Sequence, residues 1–207
     1  MSLRRRPRAD LVSDIPPAPS FLQEAFGFVW ELVKVIAVSL AIILPIRYFL
    51  IQPFYVKGAS MEPNFADRQY LIIDELTYRF RPPRRGEVVV FRYPLNPRDY
   101  FIKRVIGQPG EQVRIADGRI YLTPAGHPVE VQLEEPYLPA GLKVDGAKTT
   151  LLGPDEFFLL GDNRSESLDS RYFGPVNFRF IIGRVLMRGW PFDRINLFLE
   201  PPEYNIP

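Results

Sequence analysis

Ser60 is the first residue whose type and setting suggest chemistry. It lies in the stretch Val-Lys-Gly-Ala-Ser-Met-Glu-Pro-Asn, residues 56–64, a few residues after a long apolar segment ends. Glycine lets the backbone turn tightly, and Pro63 opposes a regular helix or a central strand at this point. We therefore predict that the Ser60 hydroxyl lies on a turn close to a membrane surface. It can serve as a nucleophile if a base lies beside it.

The composition limits which residue can be that base. The chain of 207 residues has no cysteine and one histidine, His127, in the turn-like stretch at residues 124–128. We predict that His127 is a solvated loop residue, so the base must be of another type. The same scarcity leaves almost no ligands for zinc, and a net charge of +2 is too small to indicate nucleic acid. We predict no metal, no other cofactor and no nucleic-acid partner.

Lys103 is the candidate base. Within residues 100–106 a period of two places Phe101, Lys103 and Val105 on one face of a predicted strand. Burial among apolar groups lowers the pKa of lysine from about 10.4, and a pKa lower by about 2 to 3 would supply a useful base. The pattern alone also allows a lysine that extends into solvent along Phe101, because Arg104 is flanked by apolar residues on the other face.

A polar loop, residues 161–171, follows a predicted apolar strand. Polar loops at strand ends commonly carry functional side chains. The hydroxyls and carboxylates of this loop could orient a lysine amine. The alternative is a solvated loop held by turns and by an ion pair between Asp169 and Arg171.

The elements that must position these residues begin with an apolar segment. Residues 1–25 form a basic, proline-containing tail that we predict to be disordered and cytoplasmic. Residues 26–51 are long enough to cross a bilayer as one helix, kinked near Pro45, with Glu31, Lys34 and Arg47 near the interfaces. Its length argues against a buried core helix. A cleaved signal peptide is disfavoured because no small-x-small site follows the segment.

Residues 52–207 are predicted to lie outside the cytoplasmic membrane, because the arginine-rich tail should stay inside. Short runs of β-branched and aromatic residues alternate here with turns, and Asp117-Gly118 is a strong hairpin signal. The predicted strands are residues 69–74, 87–93, 100–106, 113–116, 119–122, 157–160 and 180–187. We predict a mainly β, antiparallel, barrel-like or sandwich-like domain with a small hairpin and loop insertion at about residues 111–155.

Three separated stretches together resemble the bacterial type I signal peptidase family, the membrane-anchored serine proteases that remove signal peptides from exported proteins. Ser60-Met61-Glu62-Pro63 looks like the nucleophile box, and residues 161–171 look like the polar box. Lys103-Arg104, followed by Gly107 and Pro109-Gly110, looks like the general-base box. The motifs follow the family's order after a single apolar segment, and the match covers nearly all of the outer domain.

The resemblance implies a serine/lysine dyad. Ser60 would attack the scissile carbonyl through an acyl-enzyme, Lys103 would take its proton, and Ser167 would orient the Lys103 amine. The Ser60 backbone N–H would stabilise the oxyanion. Gly58 stands where some members have a serine, so we expect a backbone group or water to act as the second donor. Asn64 stands where threonine is frequent, which we interpret as a turn variation of little consequence.

Other roles are also implied by position. The supporting scaffold would consist of Asp162, Asp169, Arg171 and Arg104. The family cleaves after small residues at the first and third positions before the scissile bond, so the substrates would be preproteins with an Ala-x-Ala site. Apolar walls that suit alanine would come from Phe54, Val56, Met61, Phe65 and Ile102.

The resemblance further implies a single-pass protein of the cytoplasmic (inner) membrane whose catalytic domain faces the periplasmic side and docks on phospholipid. Candidate lipid contacts are Phe54, Tyr55, Trp190 and Phe192. Two other classes of protein are alternatives. An inactive binding module would usually have lost the serine or the lysine, and a self-cleaving repressor would carry a DNA-binding domain in place of the apolar segment.

Overall fold

The computed structural model describes residues 21–49, 51–204 and 206. Most of the predicted disordered tail therefore lies outside the described residues. The chain divides into two units, Met1–Leu44 and Pro45–Pro207. The second unit contains the candidate nucleophile Ser60, the candidate base Lys103 and the polar loop.

The helix α1 spans Phe21–Phe49. It includes residues 21–25, which the prediction assigned to the tail; these residues contain no glycine or proline, and Glu24 suits the positive end of the helix dipole. The stretch Glu24–Leu44, 21 residues with a mean hydropathy of 2.1, is long and apolar enough to cross a membrane, and none of it is buried. The kink predicted near Pro45 and the interface position predicted for Arg47 fall outside the described side chains.

Twelve strands and a second helix, which is short, follow α1 in the described chain. The strands are β1 Ile51–Tyr55, β2 Tyr70–Asp74, β3 Val88–Tyr93, β4 Asn96–Gly107, β5 Gln112–Ala116, β6 Arg119–Thr123, β7 Val131–Gln132, β8 Lys148–Leu151, β9 Glu156–Leu160, β10 Val176–Asn177, β11 Ile181–Trp190 and β12 Asn196–Leu197. The helix α2, Ser170–Phe173, lies between β9 and β10.

Two antiparallel sheets make up the second unit. The larger sheet has the order β1-β2-β11-β3-β4-β9-β10, with β12 paired to β11, and the smaller one has the order β7-β6-β5-β8. The prediction of a mainly antiparallel β fold after an apolar helix is confirmed. Among the described residues neither sheet closes on itself, since β1 and β10 end the larger sheet without pairing to each other, so the barrel-like form of the prediction is not adopted.

The insertion predicted at about residues 111–155 is the smaller sheet. Its strands β5 and β6 form the hairpin at Asp117-Gly118, with Ile115 opposite Ile120. The strands β7 and β8 lie in a stretch rich in proline, glycine and charge, where no alternating pattern marks them. Their pairing is therefore set by the neighbouring strands rather than by their own sequence.

The loop between β1 and β2 carries Ser60. Directly after Ser60 the chain buries Met61 and Phe65, which pack with Leu71 and Val90 in one cluster of the core. Full burial of such a side chain stabilises the fold by about 1.5–3 kcal/mol. The candidate nucleophile Ser60 therefore lies on a loop, and the residues that follow it anchor that loop in the core.

Candidate active site

The backbone before Ser60 is held by hydrogen bonds to the far end of the same loop. The Val56 N–H donates to the Gln69 carbonyl at 2.9 Å, and the Gly58 N–H donates to Asp67 Oδ1 at 2.8 Å. Gly58 has a φ of +88°, which favours glycine. A side chain at this position would find open space but would be strained by the backbone conformation.

Lys103 lies on β4 with its amine beside the Ser60 hydroxyl. The residue is only 3% exposed, and its Nζ lies 2.8 Å from Ser60 Oγ and 2.8 Å from the Ile102 carbonyl oxygen. The Phe101 ring centroid is 5.5 Å from Nζ. Among the residues that the structure describes, Lys103 forms no ion pair with a carboxylate. Lys103 is therefore buried and does not extend into solvent, which was the alternative that the strand pattern left open.

Burial changes the protonation of this amine. Desolvation lowers the pKa of Lys103 from 10.5 to about 8, while the negative charges of Asp169 and Asp162 act in the opposite direction. With a pKa near 8, about one amine in ten is neutral at pH 7, against about one in several thousand for a free lysine. The amine is within hydrogen-bond distance of Ser60 Oγ and can accept its proton.

Ser167 is buried against Gly161, at 5% exposure. Its Oγ has no hydrogen-bond partner among the described residues, so the expected bond to the Lys103 amine is not formed. The amine instead bonds the Ile102 carbonyl of its own strand. The orienting role of Ser167 stays a prediction.

Two ion pairs hold the polar loop. Arg104 donates to Asp162 at 2.8 and 2.6 Å, and Arg171 donates to Asp169 at 2.8 and 2.9 Å. Both carboxylates are fully buried, and Asp169 also accepts from the Gly161 N–H at 3.2 Å. A buried charge is tolerated when it is paired and hydrogen-bonded. These four predicted scaffold residues therefore shape the loop on either side of Gly161.

Two asparagines link the nucleophile loop to the polar loop. The Asn163 N–H donates to the Ser60 carbonyl at 3.1 Å, and its side chain donates to the Ala59 carbonyl at 3.1 Å. Asn64 Nδ2 donates to Asp162 Oδ2 at 2.9 Å. The predictions gave neither asparagine a role. Each bond joins residues about a hundred positions apart, so no local pattern in the sequence could have indicated it.

A groove of about 650 Å³ runs past Ser60 and Lys103. Its walls include three of the predicted pocket residues, Phe54, Val56 and Ile102, together with Leu168. Met61 and Phe65, which were predicted to line it, lie in the core instead. The reason is that the apolar side chains after Ser60 turn beneath the loop and away from the groove.

The distribution of histidine and carboxylate side chains bears on metal binding. In the part of the chain that the structure describes, no three His, Asp or Glu side chains are grouped so that they could hold a metal ion. His127 is exposed in its turn.

Comparison with known proteins gives the family of this chain. Residues 29–190 match the family described as signal peptidase, peptidase S26. Signal peptidase I of Leptolyngbya laminosa is 36% identical over 206 residues, covering 96% of this chain and 94% of that protein. Probable signal peptidase I-2 of a Synechocystis species is 35% identical, covering 84% and 78%, and signal peptidase I of Bacillus caldolyticus is 34% identical, covering 76% and 89%. The chain therefore belongs to the signal peptidase family, peptidase S26.

Proposed function

We propose that this chain is a membrane-bound serine endopeptidase that removes signal peptides from exported preproteins by cleaving after an Ala-x-Ala site. The observation that carries the mechanism is the distance of 2.8 Å between Lys103 Nζ and Ser60 Oγ beside an apolar groove. The family supplies the reaction class. The chain's own residues supply the nucleophile, the base and the walls of the groove.

Acylation begins with the neutral Lys103 amine. It accepts the Ser60 hydroxyl proton as Oγ attacks the scissile carbonyl carbon, and the oxyanion that forms accepts a hydrogen bond from the Ser60 backbone N–H. The ammonium then donates its proton to the leaving amine as the peptide bond breaks. In the second half, Lys103 takes a proton from water, the hydroxide attacks the acyl carbon, and Ser60 regains its proton.

The groove supports a preference for small side chains. Phe54, Val56 and Ile102 present apolar surface next to the dyad, and the Phe54 and Tyr100 rings meet edge to face at 5.6 Å. An alanine before the scissile bond would place its methyl group against this apolar surface. The family preference for small residues at this position is part of the proposal and is tested below.

The apolar helix and the family indicate a membrane-anchored protein. We place the anchor in the cytoplasmic membrane, with the arginine-rich N-terminus inside and the peptidase domain on the outer or periplasmic face. Exposed aromatic pairs support contact with phospholipid: Tyr55 meets Tyr70 at 5.0 Å, and Trp190 meets Phe192 at 4.7 Å. Aromatic side chains suit the boundary between lipid and water.

The function is tested with the full chain purified in detergent and a preprotein that carries an Ala-x-Ala site. We expect one cleavage after the second alanine, identified by mass spectrometry of the new N-terminus. Replacing that alanine in the preprotein by tryptophan should stop cleavage. Cleavage at an unrelated bond, or equal cleavage by a Ser60→Ala variant, would contradict the proposal.

A further inference from the structure

The connection between β7 and β8 of the smaller sheet reaches the polar loop. Glu135, in the connection between β7 and β8, accepts two hydrogen bonds from Arg164, at 2.7 and 2.5 Å. Arg164 is 2% exposed and also donates from Nε to the Gly161 carbonyl at 3.0 Å. A buried guanidinium needs a carboxylate partner. The conformation of the polar loop at Gly161 therefore depends on a residue from the insertion.

Tyr137 contacts both Glu135 and Arg104, the residue next to the candidate base. Its hydroxyl donates to Glu135 Oε1 at 2.5 Å, and its ring centroid lies 3.9 Å from the central carbon of the Arg104 guanidinium. Arg104 directly follows Lys103 on β4. The ring thus covers one face of the guanidinium that pairs with Asp162, where stacking and charge both favour the contact.

Asn64 joins this segment to the nucleophile loop. One side-chain N–H of Asn64 donates to Asp162 Oδ2 at 2.9 Å, and the other donates to the Tyr137 carbonyl at 3.0 Å. Both hydrogens of the amide are therefore used. Because Asn64 lies four residues after Ser60, the Ser60 loop, the polar loop and the 135–137 segment are all held through one small amide, and Asp162 connects it to Arg104 on the strand that carries Lys103.

We propose that Glu135 and Tyr137 are positioning residues of the Ser60–Lys103 dyad, acting through Arg164 and Asn64. This inference rests on the proposed peptidase function and assigns the smaller sheet a part in it. Neither residue is among those that line the groove, so their effect should fall on the alignment of the reacting groups and not on substrate binding. Small misalignments far from the reacting atoms can slow a reaction by about 10²-fold.

The test compares two glutamates of the same insertion. Glu135→Gln removes the charge that pairs with buried Arg164. Glu130→Gln removes the partner of Arg114, an ion pair at 2.5 Å on the partly exposed surface of the same sheet. With the full chain in detergent, we expect kcat per folded enzyme to fall about 10- to 100-fold in Glu135→Gln, with KM within about twofold. Glu130→Gln should keep the kcat of the unmodified chain.

Asn64→Ala tests the same connection with the loss of one small amide, which decides the question if Glu135→Gln does not fold. Thermal unfolding of each variant measures the folded fraction by which kcat is normalised. A fall of kcat by about tenfold or more in Asn64→Ala, at unchanged KM, would support the positioning role. Unchanged kcat per folded enzyme in the variants that fold would overturn it, while the peptidase function would stand. Absence of cleavage by the unmodified chain would overturn both.

Discussion

A side-chain carbon on Gly161 would lie 2.1 Å from the Ser167 hydroxyl oxygen and 2.4 Å from the Ser60 carbonyl oxygen. Real atoms do not approach so closely, so only a hydrogen fits at this point. The backbone of the polar loop therefore passes directly between the nucleophile loop and Ser167. This contact also accounts for the position of glycine at the start of the polar loop.

Gly161→Ala should abolish most of the activity. The added methyl group meets backbone on one side, so the nucleophile loop or the polar loop must move, and a shift of about 1 Å can slow the reaction about 10²-fold. Overpacking also destabilises a fold, by about 1–3 kcal/mol. The measurements are kcat on a preprotein and the free energy of unfolding. Gly189→Ala is the matched control, because a Cβ there would be 3.8 Å from its nearest neighbour and should leave kcat unchanged.

Ser60→Ala and Lys103→Ala should each lower kcat by about 10⁴-fold or more while the fold is kept, because nucleophile and base act as one unit. The double variant should be no slower than either single variant, since removing one partner already makes the other useless. Independent contributions that multiply would show that the two residues do not form a dyad. Circular dichroism checks that each variant is folded.

The strands that bury one face could be predicted from the sequence, because alternation and β-branched residues follow directly from a half-buried sheet. β4 and the hairpin of β5 and β6 are examples. β1 could not be predicted, since it contains Pro53 and follows the apolar segment without a break in hydropathy. β10 and β12 have two residues each, so their pairing depends on strands far away in the sequence.

The residues of the candidate site also divide into those that the sequence could predict and those that it could not. Ser60 and Lys103 could be predicted because their motifs resemble those of a known family, while the strand pattern alone left the burial of Lys103 open. Asn64 and Glu135 could not, because their partners Asp162 and Arg164 lie 98 and 29 positions away, and no short pattern records such a contact. Sequence periodicity likewise cannot tell that Met61 faces the core and not the groove, since it lies in a loop.

The rate of cleavage should rise with pH through an apparent pKa of about 8. Lys103 must be neutral to accept the Ser60 proton, and burial lowers its pKa to about 8, so the active fraction grows as the pH rises toward that value and levels off above it. The measurement is kcat/KM between pH 6 and pH 11, which reports the free enzyme. A pH profile in which kcat/KM rises only near the ordinary lysine pKa of about 10.4 would contradict a desolvated base.

Asp169→Asn tests the direction in which a neighbouring charge shifts this pH profile. The negative charge of Asp169 raises the pKa of Lys103, so its removal should shift the limb to lower pH. The variant loses part of the bond to Arg171 and should be less stable by about 3–5 kcal/mol, so the profile is measured at low temperature. A shift to higher pH would show that Asp169 does not act on Lys103 through its charge.

Lys103→Met should make an inactive protein that is more stable than the unmodified chain below pH 8. The folded state lowers the pKa of Lys103 from 10.5 to about 8, so below pH 8 folding must bury a charged amine, at a cost of up to about 3 kcal/mol. Between pH 8 and 10.5 the unfolded chain binds more protons than the folded one. The unmodified chain should therefore gain stability as the pH rises through this window.

Methionine keeps the apolar stem without the charge and loses the hydrogen bonds of Nζ, at a cost of about 1 kcal/mol each. The expected net gain is about 1–2 kcal/mol at pH 7, falling toward pH 10.5. Urea unfolding at pH 7 and pH 10 measures both values. Lys143→Met, at an exposed lysine, should change stability by less than about 0.5 kcal/mol at either pH. If the gain in stability of Lys103→Met did not shrink as the pH rises, the gain would come from packing and not from removal of the lysine charge.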